Sequence, residues 1–156
     1  REARQSLAGD GPARAAAEAG TRELGISAAV RFAGFMTQGQ VADLLATSDM
    51  LVLPSFAEGL PVVYMEALAS RIPVVASRVA GVQELVEDGV TGYTVPPGDI
   101  ASILDRILRL MANPNAAQAM GEAGRKAVEA GFDISHEGAW LAQIFRQGGP
   151  EGKLRP

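Results

Sequence analysis

The chain has 156 residues, 47% hydrophobic and 21% charged, with a formal net charge of −4. That length supports one domain with a sizeable core, and the composition is globular rather than disordered or fibrous. The acidic balance argues against a nucleic-acid surface, the lack of cysteine excludes disulfides and thiolate metal sites, and a single histidine, His136, excludes a His-rich metal centre or a conventional His-based triad. No apolar run is long enough to span a bilayer and no signal peptide is visible, so the expected location is the cytoplasm.

Short apolar runs alternate with helical patterns, which predicts βαβ units around a parallel sheet. Leu7-Ala8 leads into Gly9-Asp10-Gly11-Pro12, a strand-to-helix turn with proline at the helix start. Residues 13–24 are Ala-rich and helical, closing at Gly25. Residues 30–33 read as a strand running into Gly34-Phe35, and Thr37 caps a helix over 39–46. A buried strand follows at 50–53, then a helix that starts after Pro61. Arg71-Ile72-Pro73 reverses the chain into a strand at 74–76, a short helix at 82–87 and a strand at 92–95 stopped by Pro96-Pro97-Gly98. Asp99 caps an amphipathic helix that ends at Asn113-Pro114. Two further helices, to about 130 and over 135–147, precede a Gly/Pro-rich flexible tail at 148–156.

The stretch 54–69 organises the rest. Pro54 and Ser55 end the 50–53 strand, Glu58-Gly59-Leu60 turns the chain, and Pro61 stands where a helix can begin. The helix is apolar nearly all round, so it belongs in an interior, packed on a sheet. Glu66 is its one charge, eight positions after Glu58. Open α/β sheets bind ligands outside the carboxyl ends of their strands, so both carboxylates can line one crevice there. The amides of Gly59, Leu60 and the first helical turn face the same crevice and suit a phosphate. Glu66 can accept two hydrogen bonds from a vicinal diol such as a ribose, and Glu58 can orient a sugar hydroxyl. An Arg or backbone N–H satisfying Glu66, with Glu58 exposed, is an equally open reading of the helix alone.

With these elements placed, the chain resembles the carboxy-terminal, donor-binding domain of a GT-B retaining glycosyltransferase of the family 4 group. The residues that carry the resemblance are Gly9-Asp10-Gly11-Pro12, Val30-Arg31-Phe32-Ala33-Gly34-Phe35, Asp49 through Ser55, and Glu58 through Glu66 in the E-x7-E pattern. Pro73-Val74-Val75-Ala76, Ala80-Gly81 through Val86, Asp88-Gly89-Val90-Thr91-Gly92 and Val95-Pro96-Pro97-Gly98-Asp99 complete the series. It runs from about residue 7 to 146.

The resemblance implies a Rossmann-like parallel sheet with flanking helices, formed by residues 1–147 as a nucleotide-sugar-binding domain. It implies metal-independent transfer of a sugar from a nucleotide-diphosphate sugar with retained anomeric configuration. The route is displacement on the substrate face, the leaving phosphate assisting the acceptor's proton. Glu66 would bind the ribose hydroxyls and Glu58, as the catalytic carboxylate, the transferred sugar. The backbone of Gly59, Leu60 and Pro61 would approach sugar and diphosphate, and Gly34, Phe35 and Met36 would touch the base. Gly9 and Gly11 would line another wall, although both also read as plain turn formers, and Phe35 reads equally as a packed aromatic. Arg71 and Arg78 read as surface charges, Glu84 as a local cap or bridge, and His136 as solvent-facing.

The pattern is departed from in places. Ala80-Gly81 replaces Gly-Gly, and the polar Arg4-Gln5-Ser6 enters Gly9 where the family has an apolar strand. The family's first strand, its basic loop and the amino-terminal acceptor domain have no counterpart before Arg1. The expectation is therefore a donor-binding part of a longer enzyme, inactive alone, with a gap beside the strands at Leu7-Ala8 and 50–53. Partners implied are the nucleotide-sugar donor, the acceptor domain and, for the whole enzyme, a peripheral membrane contact. The alternative is a non-catalytic nucleotide-sugar-binding or partner subunit. A dehydrogenase-type Rossmann domain lacks its strand-linked G-x-G-x-x-G here.

Overall fold

A computed structural model describes residues 3–146, apart from the side chains of 135–137. The expected tail at 148–156 and the side chain of His136 lie outside the described residues. The chain divides into two compact units, Arg1–Thr47 and Ser48–Pro156.

In the first unit, strand β1 (Gln5–Ala8) pairs in parallel with β2 (Val30–Gly34). Helix α1 (Arg14–Glu23) and a short 3-10 turn (Ser27–Ala29) connect them, and α2 (Gln38–Ala46) follows. Gly25, at φ 68, closes α1, with Ile26 N–H reaching Thr21 O at 2.9 Å. Thr37 and Gln40 form a reciprocal capping box at the start of α2. The polar residues of β1 are all exposed, so this strand holds by its ladder to β2 rather than by burial.

The second unit is built on a parallel sheet ordered β3-β4-β5, from Leu51–Leu53, Val74–Ser77 and Gly92–Val95. Helix α3 (Val62–Ala69) joins β3 to β4 and the one-turn α4 (Val82–Leu85) joins β4 to β5. Helices α5 (Ile100–Ala112), α6 (Pro114–Gly131) and α7 (Ile134–Arg146) complete it. Every residue of the central strand β4 is buried, as expected of a parallel strand covered on both faces. Val75 packs with Leu110 of α5 and Met120 of α6, joined by Met50, Val52, Tyr93 and Ala117. Asp99 and Asn113 cap α5 and α6 by accepting from Ser102 N and Ala116 N. Among the described residues, β1 and β3 each have a strand partner on one side only.

The apolar helix α3 is buried through Tyr64, Ala67 and Leu68, but its main partner is α6 rather than the sheet. A Cβ on Gly121 would overlap the carbonyl oxygen of Arg71, and one on Gly124 would stand 2.5 Å from Leu68 Cδ2. Small residues thus let the two helices close on each other. Arg125 donates to Ala69 O at 2.7 Å, satisfying a carbonyl at the end of α3. Arg71, in the left-handed region at φ 61, turns the chain away and pairs with Glu122 at 3.0 Å.

Two glycine substitutions test this packing. Gly20 lies in α1 with nothing within 4 Å of a built Cβ, so Gly20→Ala should raise stability by about 0.5–1 kcal/mol. Gly121→Ala gains the same helix propensity yet should lower stability by about 1–3 kcal/mol, because the methyl meets backbone. Urea midpoints at constant m-value are the check.

Candidate functional site

The loop between β3 and α3 carries most of the chemistry. Its start is fixed from below: Tyr64, fully buried in α3, donates its hydroxyl to Leu53 O at 2.9 Å. Burial, with the negative charge of Glu58 adding to it, pushes the Tyr64 phenol up to about 12. Ser55 donates to Glu58 Oε1 at 2.6 Å, and both residues are half-buried. Pro61 stands at the N-cap with extended backbone (φ −68, ψ 119), and its carbonyl accepts from Tyr64 N at 3.1 Å. Proline offers no capping side chain, so the amides of Val62 and Val63, ahead of the Tyr64 N–H that Pro61 takes, are the ones α3 can offer an anion. Gly59 and Leu60 are exposed, and Glu66 is half-buried on the second turn.

A second loop holds the first in place. Gly81, after β4, has φ 78, and a Cβ built on it would overlap the carbonyl oxygen of Gly59. Ala80, just before it, is exposed, whereas Gly81 has no room for a methyl. A third loop approaches from β5, where Gly98 lies 3.4 Å, measured from a built Cβ, from the ring of Phe56. The structure therefore joins Ser55, Glu58, Gly59, Leu60 and Pro61 to the start of α3 at the carboxyl ends of the strands. Glu66 stands further along the same helix.

In the first unit, Gly9 N donates to Gly34 O at 2.8 Å, bringing those two glycines together in left-handed conformations of φ 119 and 70. Gly11 accepts a Cβ freely; its N–H binds the Asp10 carboxylate at 2.8 Å. Arg14, held by Glu18 at 2.9 Å and Asp10 at 3.5 Å, lies over Gly34, and hydrogen bonding to Glu18 raises its pKa. Phe35 is 86% exposed, so the packed-aromatic reading does not describe it, and Met36 is half-buried.

Asp99, Arg71 and Arg78 have local roles, and Glu84 takes none of the cap or bridge contacts expected of it among the described residues. Asp99 caps α5 and is held below the usual carboxylate range by its bonds to Ser102. Arg71 pairs with Glu122, Arg78 donates to Thr94, and Glu84 is exposed on α4. Among the described residues, no group of three or more His, Cys, Asp or Glu side chains is arranged to hold a metal, and no helix is long and apolar enough to cross a membrane. Sequence reasoning missed Ser55 and Tyr64 as partners of the loop. The three-residue spacing of Ser55 and Glu58 was the available signal for the first.

Residues 2–127 match the family model described as glycosyl transferases group 1. The alpha-D-kanosaminyltransferase of Streptomyces kanamyceticus is 36% identical over 141 residues, 90% of this chain and 36% of its own length. The structure of sucrose-phosphate synthase from Thermosynechococcus elongatus superposes with a TM-score of 0.83 at 31% identity, over 91% of this chain and 37% of that one. Anabaena HepE, known in complexes with UDP and with UDP-glucose, superposes in the UDP complex with a TM-score of 0.85 at 23% identity, over 93% of this chain and 41% of its own. The chain thus spans little more than a third of the length of these relatives.

One titration tests the anchor beneath the loop. The Tyr64 phenol ionises near 10 when unfolded and about 12 when folded. Its contribution to stability is therefore complete below pH 10 and disappears as pH rises to about 12. Tyr64→Phe should cost about 1 kcal/mol at neutral pH through the lost bond to Leu53, and should flatten the decline above pH 10. Chemical denaturation at several pH values reads both effects.

Proposed function

This chain belongs to the glycosyl transferases group 1 family, and from that premise we propose that it is the donor-binding part of a longer, retaining sugar-transfer enzyme. The observation that carries the reading is the loop 54–61, whose half-buried carboxylate and open helix start are fixed together at the carboxyl ends of the strands. A sugar nucleotide needs what this arrangement offers: amides and a helix dipole for the diphosphate, and carboxylates for hydroxyls. In this reading the α3 amides hold the diphosphate, Glu66 accepts from the ribose diol, and Glu58 accepts from a hydroxyl of the transferred sugar.

The reaction breaks the bond from the anomeric carbon to the β-phosphate oxygen. The acceptor oxygen bonds to that carbon on the same face, and its proton passes to the departing phosphate. No metal enters; hydrogen-bond donors already aimed at the phosphate stabilise the leaving charge. Residues outside 1–156 supply the acceptor site and further positive charge. UDP is the first nucleotide to test, because the Anabaena neighbour is known with UDP and UDP-glucose.

Calorimetry with UDP-, GDP- and ADP-sugars should identify one tight nucleotide, with NAD showing no binding. Glu66→Ala should weaken that nucleotide about tenfold or more, the cost of a charged hydrogen bond. Glu58→Gln should reduce sugar transfer in the intact protein more than it reduces affinity for the bare nucleoside diphosphate. Unchanged affinity in folded Glu66→Ala would remove the ribose role. Equal losses in Glu58→Gln would remove the sugar role.

A further inference from the structure

We propose that Ser55 is a positioning residue that fixes the direction of the Glu58 carboxylate and thereby sets discrimination between epimeric donor sugars. The proposal rests on the reading of Glu58 as the sugar-contacting carboxylate and assigns it a regulator within its own loop. The 2.6 Å separation of Ser55 Oγ and Glu58 Oε1 falls in the short range of a hydroxyl bound to an ionised carboxylate. Both partners are half-buried, so water competes less for that bond than it would on an open surface.

The backbone on either side of this pair is already constrained. Leu53, just before the loop, is tied to α3 by the Tyr64 hydroxyl, and Gly59, just after Glu58, is seated against Gly81. What these contacts leave undetermined is the set of side-chain torsions of Glu58. A glutamate that rotates freely can follow a sugar hydroxyl into either an axial or an equatorial position, and so tells epimers apart poorly. With Oε1 committed to Ser55, Oε2 becomes the acceptor offered to the sugar, and it points one way. An epimer whose hydroxyl is displaced then either loses its bond or must break the Ser55 contact to regain it. Sites that hydrogen-bond a substrate hydroxyl in fixed geometry reject analogues most strongly for this reason. The nucleotide half of the donor is untouched by the mechanism, because its partners lie along α3.

The test uses the intact protein with Ser55→Ala, Ser55→Thr and Glu58→Gln, titrated calorimetrically with UDP, UDP-glucose and UDP-galactose. In the unmodified protein the two epimers should differ in Kd. Ser55→Ala should shrink that ratio about tenfold, or abolish it if it is smaller, while leaving the Kd for UDP within about twofold. Ser55→Thr, which keeps the hydroxyl, should restore the ratio; a merely structural serine would not be rescued in discrimination alone. The proposal is overturned if Ser55→Ala keeps the full ratio while Glu58→Gln loses it, an outcome that leaves the role of Glu58 standing. It is also overturned if the unmodified protein does not discriminate. If Glu58→Gln changes neither ratio nor affinity, the underlying reading of Glu58 fails and takes this proposal with it.

Discussion

Between Gly59 and Gly81 there is no space for a single methyl group. The geometry of the candidate site depends on that contact. It brings the loop after β3 against the loop after β4, and so fixes the backbone that follows Glu58. Gly81 meets the demand twice over, since its φ of 78 is also costly for any residue with a side chain. Glu58 could be presented by a loop of many conformations; here it is presented by one that is held at both ends. Rigid support beneath a flexible-looking segment is what precise binding of a polar ligand requires.

The same logic extends downward to α3. A helix that offers its N-terminus to an anion must itself resist movement, and Pro61 supplies no capping side chain to steady it. Its support comes from elsewhere. Tyr64 ties the first turn to the end of β3, the glycines of α6 let Leu68 and Arg71 sit close, and Arg125 binds the Ala69 carbonyl. The left-handed Arg71 then carries the chain straight into β4, the best-buried strand of the unit. Close approach of backbone marks the helix that bears Glu66, at Gly121 and Gly124, and the turn after it holds the left-handed Arg71.

Most of the fold was legible from local signals. Thr37 and Asp99 stand at the helix starts where their side-chain oxygens place them, and the strands at 30–34, 51–53, 74–77 and 92–95 fall within a residue or two of the apolar runs. Asn113, read as the end of one helix, also caps the next. The helix predicted over 82–87 is shorter, Val82–Leu85, because Val86 turns to extended backbone. Helix–helix closure was not legible: Gly121 and Gly124 leave no hydrophobic period, and their meaning appears only when α3 lies beside them. Nor was the Tyr64 anchor, which joins residues eleven positions apart through a strand carbonyl. Polar Gln5 and Ser6 argued against a buried strand, and β1 is indeed exposed, yet it pairs with β2 because backbone hydrogen bonding does not depend on apolar side chains. Glu58 and Glu66 stood out by pattern as candidates, whereas the bond from Ser55 that orients Glu58 did not.

The most direct measurement of the central claim is hydrogen–deuterium exchange of the intact protein with and without UDP, followed on the peptide covering residues 54–66. Amides of an exposed loop and of an uncapped helix start exchange quickly when nothing occupies them. The account predicts that saturating UDP slows exchange in 54–66 and that NAD at the same concentration does not. Exchange in this peptide that is indifferent to UDP, at a concentration where calorimetry shows binding, would contradict it.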